Sequence, residues 1–352
     1  MCMIKILHSG DWHLDSPFQG RSDDQAQLLR QELLKIPGKI AELCKQELCD
    51  LVLLSGDLFD GAYTTNTYKV VYDALQSMGV PVFISPGNHD YISPDSPYVK
   101  ELWPENVHIF KDKQISWADV EALNLRVYGA GFQSMDSPAL LDGFRAEGFA
   151  VGVFHGDPTQ ANSPYNPVNK GQVANSGLRY LALGHVHKDD GFWAGDTLCA
   201  WPGCPMGRGW DEQGEKGVLI VSLDEDIQVK FVPLDGPKFF DMTAEWKDGL
   251  ASVLPAVANQ DFYRVTLTGE AETVDLEALQ AEFAQFPNLV LRDQTTRPVD
   301  IWAGTGEDNF EGVYFGMLRD ALEAAGEEEK ETILLAAKLS RQLLEGQEVK
   351  LP

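Results

Sequence analysis

Five times between Leu7 and His187, a short apolar run gives way at once to a block of Asp, Asn, His and Gly. The runs are Ile4–Leu7, Leu51–Leu54, Val80–Ser85, Val151–Phe154 and Tyr180–Leu183. Each is the length of a buried strand. Amphipathic stretches separate the first of them: Gln25–Cys49, with Pro37 read as the start of a second helical segment, and Tyr68–Met78. Early β-α-β alternation followed by strand-rich sequence predicts an α/β protein of layered sheets with helices outside. The polar blocks then fall at strand ends, the edge where such sheets bind ligands.

Further strands are expected at Val107–Phe110, Leu125–Tyr128, Val218–Leu223 and Ile227–Val232, the last two flanking a turn at Asp224–Asp226. Pro233 to Pro237 reads as a boundary. Beyond it, Phe262–Thr268, Leu276–Phe286 and Leu289–Arg292 read as strand, helix and strand, a small α+β unit. The end is helical, over Val313–Ala324 and Thr332–Glu345. The expected domains are 1–236, 237–300 and 301–352. In the last helix Ile333, Ala336, Ala337, Ser340 and Leu344 share a stripe, which suits docking on its own domain or binding a partner.

The blocks carry the chemistry. They are Asp11-Trp12-His13, Gly56-Asp57-Leu58-Phe59-Asp60, Gly87-Asn88-His89-Asp90, His155-Gly156 and Gly184-His185-Val186-His187. In extended chain, residues i and i+2 point the same way, so Asp11 and His13, and again His185 and His187, are expected to face one side together. A lone His or a Gly-Asp turn is more often structural, but five such blocks at strand ends predict a metal site. Asp11, His13, Asp57, Asn88, His155, His185 and His187 mix carboxylate, imidazole and amide without thiolate, which suits manganese, iron or zinc. Seven ligands exceed what one catalytic ion with an open position can use. Two divalent ions sharing a carboxylate would use them all, and a metal pair clamps a phosphoryl group while activating water. The predicted reaction is hydrolysis of a phosphate ester.

Other residue classes add little to the site. The five cysteines, Cys2, Cys44, Cys49, Cys199 and Cys204, have no zinc or disulfide spacing and read as idle thiols of a reducing compartment. No apolar run is long enough to span a membrane, and Met1–Leu7 lacks the basic flank of a signal peptide, so a cytoplasmic location is expected. His8 and His108 fall inside strands and read as packing or polar-capping residues. The formal net charge of −26 argues against a broad basic surface that grips nucleic acid unaided. Two bound divalent ions, or a basic partner, would offset it locally.

In order and detail these blocks resemble the calcineurin-like metallophosphoesterase superfamily. Asp11-Trp12-His13-Leu14-Asp15, the Asp57 and Asn88 blocks, Trp201-Pro202-Gly203 and Lys216-Gly217-Val218-Leu219 look most like its SbcD-type exonuclease branch. The resemblance covers roughly residues 1–235 with specific motifs and the remainder in layout only. It implies a layered αββα sandwich, a small α+β capping domain and C-terminal helices. By position it puts Asp11, His13, Asp57 and His187 on one metal and Asp57, Asn88, His155 and His185 on the other. It makes His89 the catalytic histidine, protonating the leaving oxygen or stabilising the strained phosphorane. Asp90 either orients that ring or caps a turn. Manganese is the expected metal, DNA the expected substrate, and an SbcC-type coiled-coil ATPase and a second copy of the chain are expected partners.

Two details depart from relatives of the resembled branch and of its phosphatase cousins. Asp60 stands where some nuclease relatives place a histidine. Gly61 and Ala62 follow it, where protein phosphatases place the arginine that grips a monoester, so diesters are favoured. Arg208, flanked by Gly207 and Gly209, is either a phosphate contact or a surface residue. The leading reading is a manganese-dependent DNA exo- or endonuclease subunit, with a small-molecule phosphodiesterase or phosphatase as the alternative. A scaffold with a vestigial site fits poorly, because clustered carboxylates repel one another without a cation.

Overall fold

Alternate residues along the core strands enter two different cores. In a computed structural model, which describes residues 3–298 and 300–346, Ile4, Ile6, Leu51 and Leu53 join one cluster while Leu7, Val52 and Leu54 join another. A period of two with both faces buried means that a layer lies on each side of the strand. Cys2 and the part of the expected C-terminal segment beyond residue 346 lie outside the described residues.

In chain order the strands are β1 (Ile4–Ser9), β2 (Leu51–Leu54), β3 (Val82–Ile84), β4 (Val107–Ile109), β5 (Ser116–Val120), β6 (Leu125–Gly129), β7 (Ala150–His155), β8 (Tyr180–Gly184), β9 (Asp190–Ala194), β10 (Thr197–Trp201), β11 (Gly217–Leu223), β12 (Ile227–Pro233), β13 (Phe239–Glu245), β14 (Phe262–Thr268) and β15 (Leu289–Asp293). The helices are α1 (Asp23–Gln46), α2 (Thr65–Met78), α3 (Pro97–Lys100), α4 (Lys170–Asn175), α5 (Leu276–Glu282), α6 (Phe310–Ala324) and α7 (Glu327–Leu344).

Two six-stranded sheets form the sandwich, ordered β12-β11-β1-β2-β3-β4 and β5-β6-β7-β8-β10-β9. β1 to β4 run parallel, as do β6, β7, β8 and β10, with antiparallel strands at the edges. Ile4, Ile6, Leu51 and Leu53 of the first sheet meet Val151, Val153, Tyr180 and Ala182 of the second in the central core. The other face of the first sheet packs on α1 and α2 through Leu29, Leu33, Ile36, Val71 and Leu75. Ala150, Phe154, Leu181 and Leu183 on the far face of the second sheet pack on α4 through Val173. This is the layered α/β sandwich expected.

α1 differs from expectation. It runs unbroken through Pro37, where a second segment was predicted to begin. Leu33, Ile36, Pro37 and Ile40 are all buried against the first sheet. Burial along that face outweighs the roughly 3 kcal/mol cost of an interior proline.

By contact, the described residues of Met1–Asp241, Asn259–Arg264 and Phe286–Asn288 form one compact unit, and those of Met242–Ala258, Val265–Gln285 and Leu289–Pro352 a second. The second unit contains α5, α6 and α7. Within it α7 turns Ile333, Ala337, Ser340 and Arg341 away from full exposure, while Ala336 and Leu344, expected on the same stripe, are exposed. Tyr314 Oη lies 2.9 Å from Ser340 Oγ, and the Arg341 guanidinium lies 3.8 Å above the Phe315 ring, which seats α7 on α6. Among the described residues no helix is long and apolar enough to cross a membrane.

Candidate metal centre

The ends of β1, β2, β3, β7 and β8 lie at one edge of the sandwich, and each releases one of the blocks. The chain there is not extended. Asp11, His13, Asp57 and His185 have φ of 52°, 47°, 51° and 95°, in the left-handed region that costs a side-chain-bearing residue energy. Asp11 and His13 therefore converge through a left-handed turn just past β1, and not through strand alternation as expected. Backbone bonds hold this turn: Asp11 N–H donates to Gly56 O and His13 N–H to Asp57 O, both at 2.9 Å. Gly87 is required on packing grounds, since a Cβ there would stand 2.2 Å from Asp57 Oδ1.

All seven ligand-type residues converge, in two overlapping sets. On one side His13 Nε2 lies 3.2 Å from His187 Nε2 and 3.8 Å from Asp57 Oδ2, and His187 Nε2 lies 3.9 Å from Asp11 Oδ1. On the other, His155 Nε2 lies 2.8 Å from Asn88 Oδ1 and 3.3 Å from Asp57 Oδ2, and His185 Nδ1 lies 3.2 Å from Asn88 Oδ1. Asp57 belongs to both. Its Oδ1 accepts the His89 N–H at 2.8 Å, which leaves Oδ2 between the two sets.

The donor chemistry fits cations. His155 Nδ1 lies 2.9 Å from the Ser55 carbonyl and must carry the proton, so Nε2 presents a lone pair to two oxygens. His187 Nδ1 is likewise committed to Glu212 Oε1 at 2.7 Å, so its Nε2 is turned to His13. At His155 acceptors meet acceptors, which repel unless a cation lies among them; and imidazoles sharing one ion at about 2.1 Å have nitrogens about as far apart as those of His13 and His187. His13 Nδ1 is a buried nitrogen without a hydrogen-bond partner, 3.5 Å from Asp60 Oδ1.

Burial dominates the electrostatics. It lowers His155 to about 3 and His13 and His185 to about 4, so these rings are neutral and ready to ligate. It raises the Asp11 carboxyl to about 7, with the neighbouring Asp57 charge adding to the rise and His187 opposing it. A fully buried carboxylate beside another is the environment a divalent ion relieves.

His89 stands at the rim, its ring edge-on to His13 with centroids 4.6 Å apart. Its Nδ1 lies 2.7 Å from Asp60 Oδ1, and this bond raises its pKa above the ordinary imidazole value. Burial opposes ionisation of Asp60. The nearby His13 ring and the hydrogen bonds from His89 and Ser16 outweigh it and hold the carboxyl well below the usual range.

The carboxylate that meets the His89 ring is Asp60 and not Asp90. Asp90 is buried and caps turns: it accepts backbone N–H groups of Gly87 at 2.8 Å and Leu58 at 2.7 Å, and the Tyr98 hydroxyl at 2.6 Å.

Sequence reasoning missed Glu212 altogether, since nothing in its spacing marks it. Arg208 is no free surface residue; Glu212 and Ser16 hold it. His8 is buried, with Nδ1 2.8 Å from Tyr180 Oη and Nε2 3.1 Å from Leu183 O, and His108 packs on Phe83 and Phe110, as expected of both. Cys44, Cys49, Cys199 and Cys204 are buried free thiols, and Cys204 touches the centre only through the His187 carbonyl, 3.6 Å from its Sγ.

A layered sandwich whose strand ends gather carboxylates, imidazoles and one amide about a shared aspartate defines a class. The chain belongs to the calcineurin-like phosphoesterase family, whose sequence model matches residues 4–189. It is 29% identical over 248 residues to the uncharacterized metallophosphoesterase YhaO of Bacillus subtilis, across 65% of this chain and 60% of that protein. It is 24% identical over 276 residues to the SbcD component of the nuclease SbcCD of the same organism, across 62% of this chain and 66% of that component. The match therefore spans less than two thirds of these curated relatives' lengths. Among solved structures, a dimetal phosphatase from Danio rerio aligns with a TM-score of 0.43 at 12% identity, over 65% of this chain and 95% of the other.

Proposed function

We propose that this chain is a two-metal phosphodiester hydrolase, and more finely a manganese-dependent DNA exo- or endonuclease subunit that works with an SbcC-type coiled-coil ATPase. One observation carries the reading: two sets of ligand atoms share Asp57, with the raised imidazole of His89 beside them. Asp11, His13, Asp57 and His187 would hold one ion, and Asp57, Asn88, His155 and His185 the other. When bound, such a pair supplies water activation and neutralises charge at a phosphoryl group. Manganese fits the mixed carboxylate, imidazole and amide donors.

The chain's own residues supply the rest. Asp57 keeps one carboxylate oxygen on the His89 backbone N–H and offers the other to both sets. Asp60 holds Nδ1 of His89, which leaves Nε2 to give a proton to the leaving oxygen. Gly61 and Ala62 supply no arginine to grip a monoester, which supports a diester substrate. The kinship with the SbcD component of SbcCD supports the nuclease reading.

A small diester is the second reading, favoured by two features. A cleft of about 540 Å³ adjoins His89 and is lined by Tyr63, Tyr91, Ser93, Asp95, Lys100 and Glu101, room for one nucleotide-sized group but with acidic walls. The net charge of −26 points the same way.

The test is hydrolysis by metal-free protein reloaded with manganese, on labelled duplex DNA and on bis-p-nitrophenyl phosphate in parallel. Shortening of the DNA that disappears in His89→Gln supports the nuclease. Cleavage of the small diester with intact DNA, unchanged when a coiled-coil ATPase partner is added, favours the second reading. Hydrolysis of neither overturns both.

A further inference from the structure

Beyond residue 189, where the match to the family ends, one loop sends two side chains back to the centre. Glu212 is 4% exposed. Its Oε1 accepts from His187 Nδ1 and from Arg208 Nη2, each at 2.7 Å, and its Oε2 accepts the Arg208 backbone N–H at 2.7 Å and Nε at 3.3 Å. Arg208 Nη1 donates to Ser16 Oγ at 3.2 Å, and Ser16 donates to Asp60 Oδ2 at 2.7 Å. Asp60 Oδ1 accepts from His89 Nδ1 at 2.7 Å.

We propose that Glu212 and Arg208 are positioning residues: Glu212 fixes the His187 ring with Nε2 towards the centre, and Arg208 joins that ring, through Ser16 and Asp60, to the ring of His89. The proposal rests on the two-metal reading above and extends it to residues outside the ligand set.

The symmetry of the chain of bonds is the reason. Two imidazoles each donate Nδ1–H to a carboxylate, and one guanidinium bonds the first carboxylate directly and reaches the second through the Ser16 hydroxyl. A carboxylate behind a ligating histidine sets its tautomer and ring angle, and loss of such a partner typically costs 10–100-fold in metal affinity or activity. The Glu212 carboxylate and, through Ser16, the Asp60 carboxylate face one cation between them. Arg208 is that cation, and its rigid planar fork can serve two directions at once where a lysine ammonium cannot.

Arg208 Nη2 also lies 3.2 Å from His187 Nδ1. With that ring proton directed at the nearer Glu212 oxygen, this is a contact between two donors and not a hydrogen bond. The loop is shaped for the purpose, since a Cβ at Gly207 would stand 2.6 Å from the Glu212 carbonyl oxygen.

The test compares the full chain with Glu212→Gln, Arg208→Lys and Ser16→Ala. Manganese affinity and stoichiometry are read by calorimetry, turnover on bis-p-nitrophenyl phosphate by kinetics, and the Tm of chelated protein as a check of fold. Glu212→Gln should weaken one of two manganese sites about 10–100-fold and leave the other unchanged. Ser16→Ala and Arg208→Lys should bind two ions as the parent does, while kcat falls about tenfold at unchanged KM.

Glu212→Gln with parental affinity at both sites overturns the brace. So does equal weakening of both sites with a lowered chelated Tm, which marks a packing role. A raised KM at unchanged kcat in Arg208→Lys overturns the positioning role, because Arg208 then grips substrate directly. Should Glu212→Gln fail to fold, the two milder variants decide. Parent protein that takes up no manganese removes the two-metal reading along with the brace, whereas two ions in the parent beside an unaffected Glu212→Gln removes the brace alone.

Discussion

His89 Nδ1 and Asp60 Oδ1 lie 2.7 Å apart, so the rim imidazole has one nitrogen committed to a carboxylate and one free to handle a proton. Replacing His89 with Gln removes the proton and leaves every ligand-type residue in place. Manganese stoichiometry should remain at the parental value while turnover falls by about 10²–10⁴. Metal analysis and steady-state kinetics on the same preparation check both halves, and full activity would remove His89 from the mechanism.

Asp57 Oδ2 stands 3.3 Å from His155 Nε2 and 3.8 Å from His13 Nε2, so it is common to both sets. Asp57→Ala should lose at least one of two bound manganese ions, read by elemental analysis after gel filtration. Retention of both would break the bridging assignment.

Gly87 offers a cleaner way to disturb the same carboxylate. The added methyl of Gly87→Ala would stand 2.2 Å from Asp57 Oδ1 and must push the side chain aside. Weaker manganese binding is expected by calorimetry, with the circular dichroism of the folded chain retained. Unchanged affinity would mean that the Asp57 carboxylate is not fixed by this turn.

His8 gives the protein a dependence on acid separate from its metal. Burial lowers its pKa to about 3 from 6.5, partly opposed by the Leu183 carbonyl. As pH falls from 6.5 towards 3, the unfolded chain therefore binds a proton that the folded chain refuses, and stability is lost. In chelator, the parent should lose about 2 kcal/mol more than His8→Gln between about pH 6.5 and 4.5 in urea titrations. Equal losses would show that this ring is not held neutral.

Leu53 lies in the central core with no exposed surface, whereas Leu335 on α7 is 39% exposed. Leu53→Ala should cost about 2–5 kcal/mol, and Leu335→Ala about 0.5 kcal/mol or less. Denaturant melts compare the two, and similar costs would contradict the placement of the central core.

The legible part of this protein is what period and punctuation encode. Leu51–Leu54 occupies the strand predicted, and β7 and β8 extend their predicted runs by a residue or two, because unbroken apolar runs have few other solutions in an α/β chain. β5, β9, β10 and β13 went unread. β10, Thr197–Trp201, is fully buried yet carries no alternation and no β-branched run; its neighbours in space decide it. Pro37 was read as a break because the cost of a proline is local, while the packing that offsets it is not.

The ligand-type residues were legible for a related reason: each sits within a few residues of its strand end. The Asp11–His13 convergence was expected from the wrong backbone geometry and arises from left-handed turns. Glu212 was illegible because it meets His187 across 25 residues of chain and carries no motif of its own.

The two ligand sets do not respect the two sheets. Asp11, His13, Asp57 and Asn88 follow strands of one, and His155, His185 and His187 end or follow strands of the other. Each set draws on both. Any ion they hold would therefore be a rivet through the sandwich, tying the two sheets together at that edge. Stripping such ions should then make the whole sandwich, not merely its rim, open more often to hydrogen exchange.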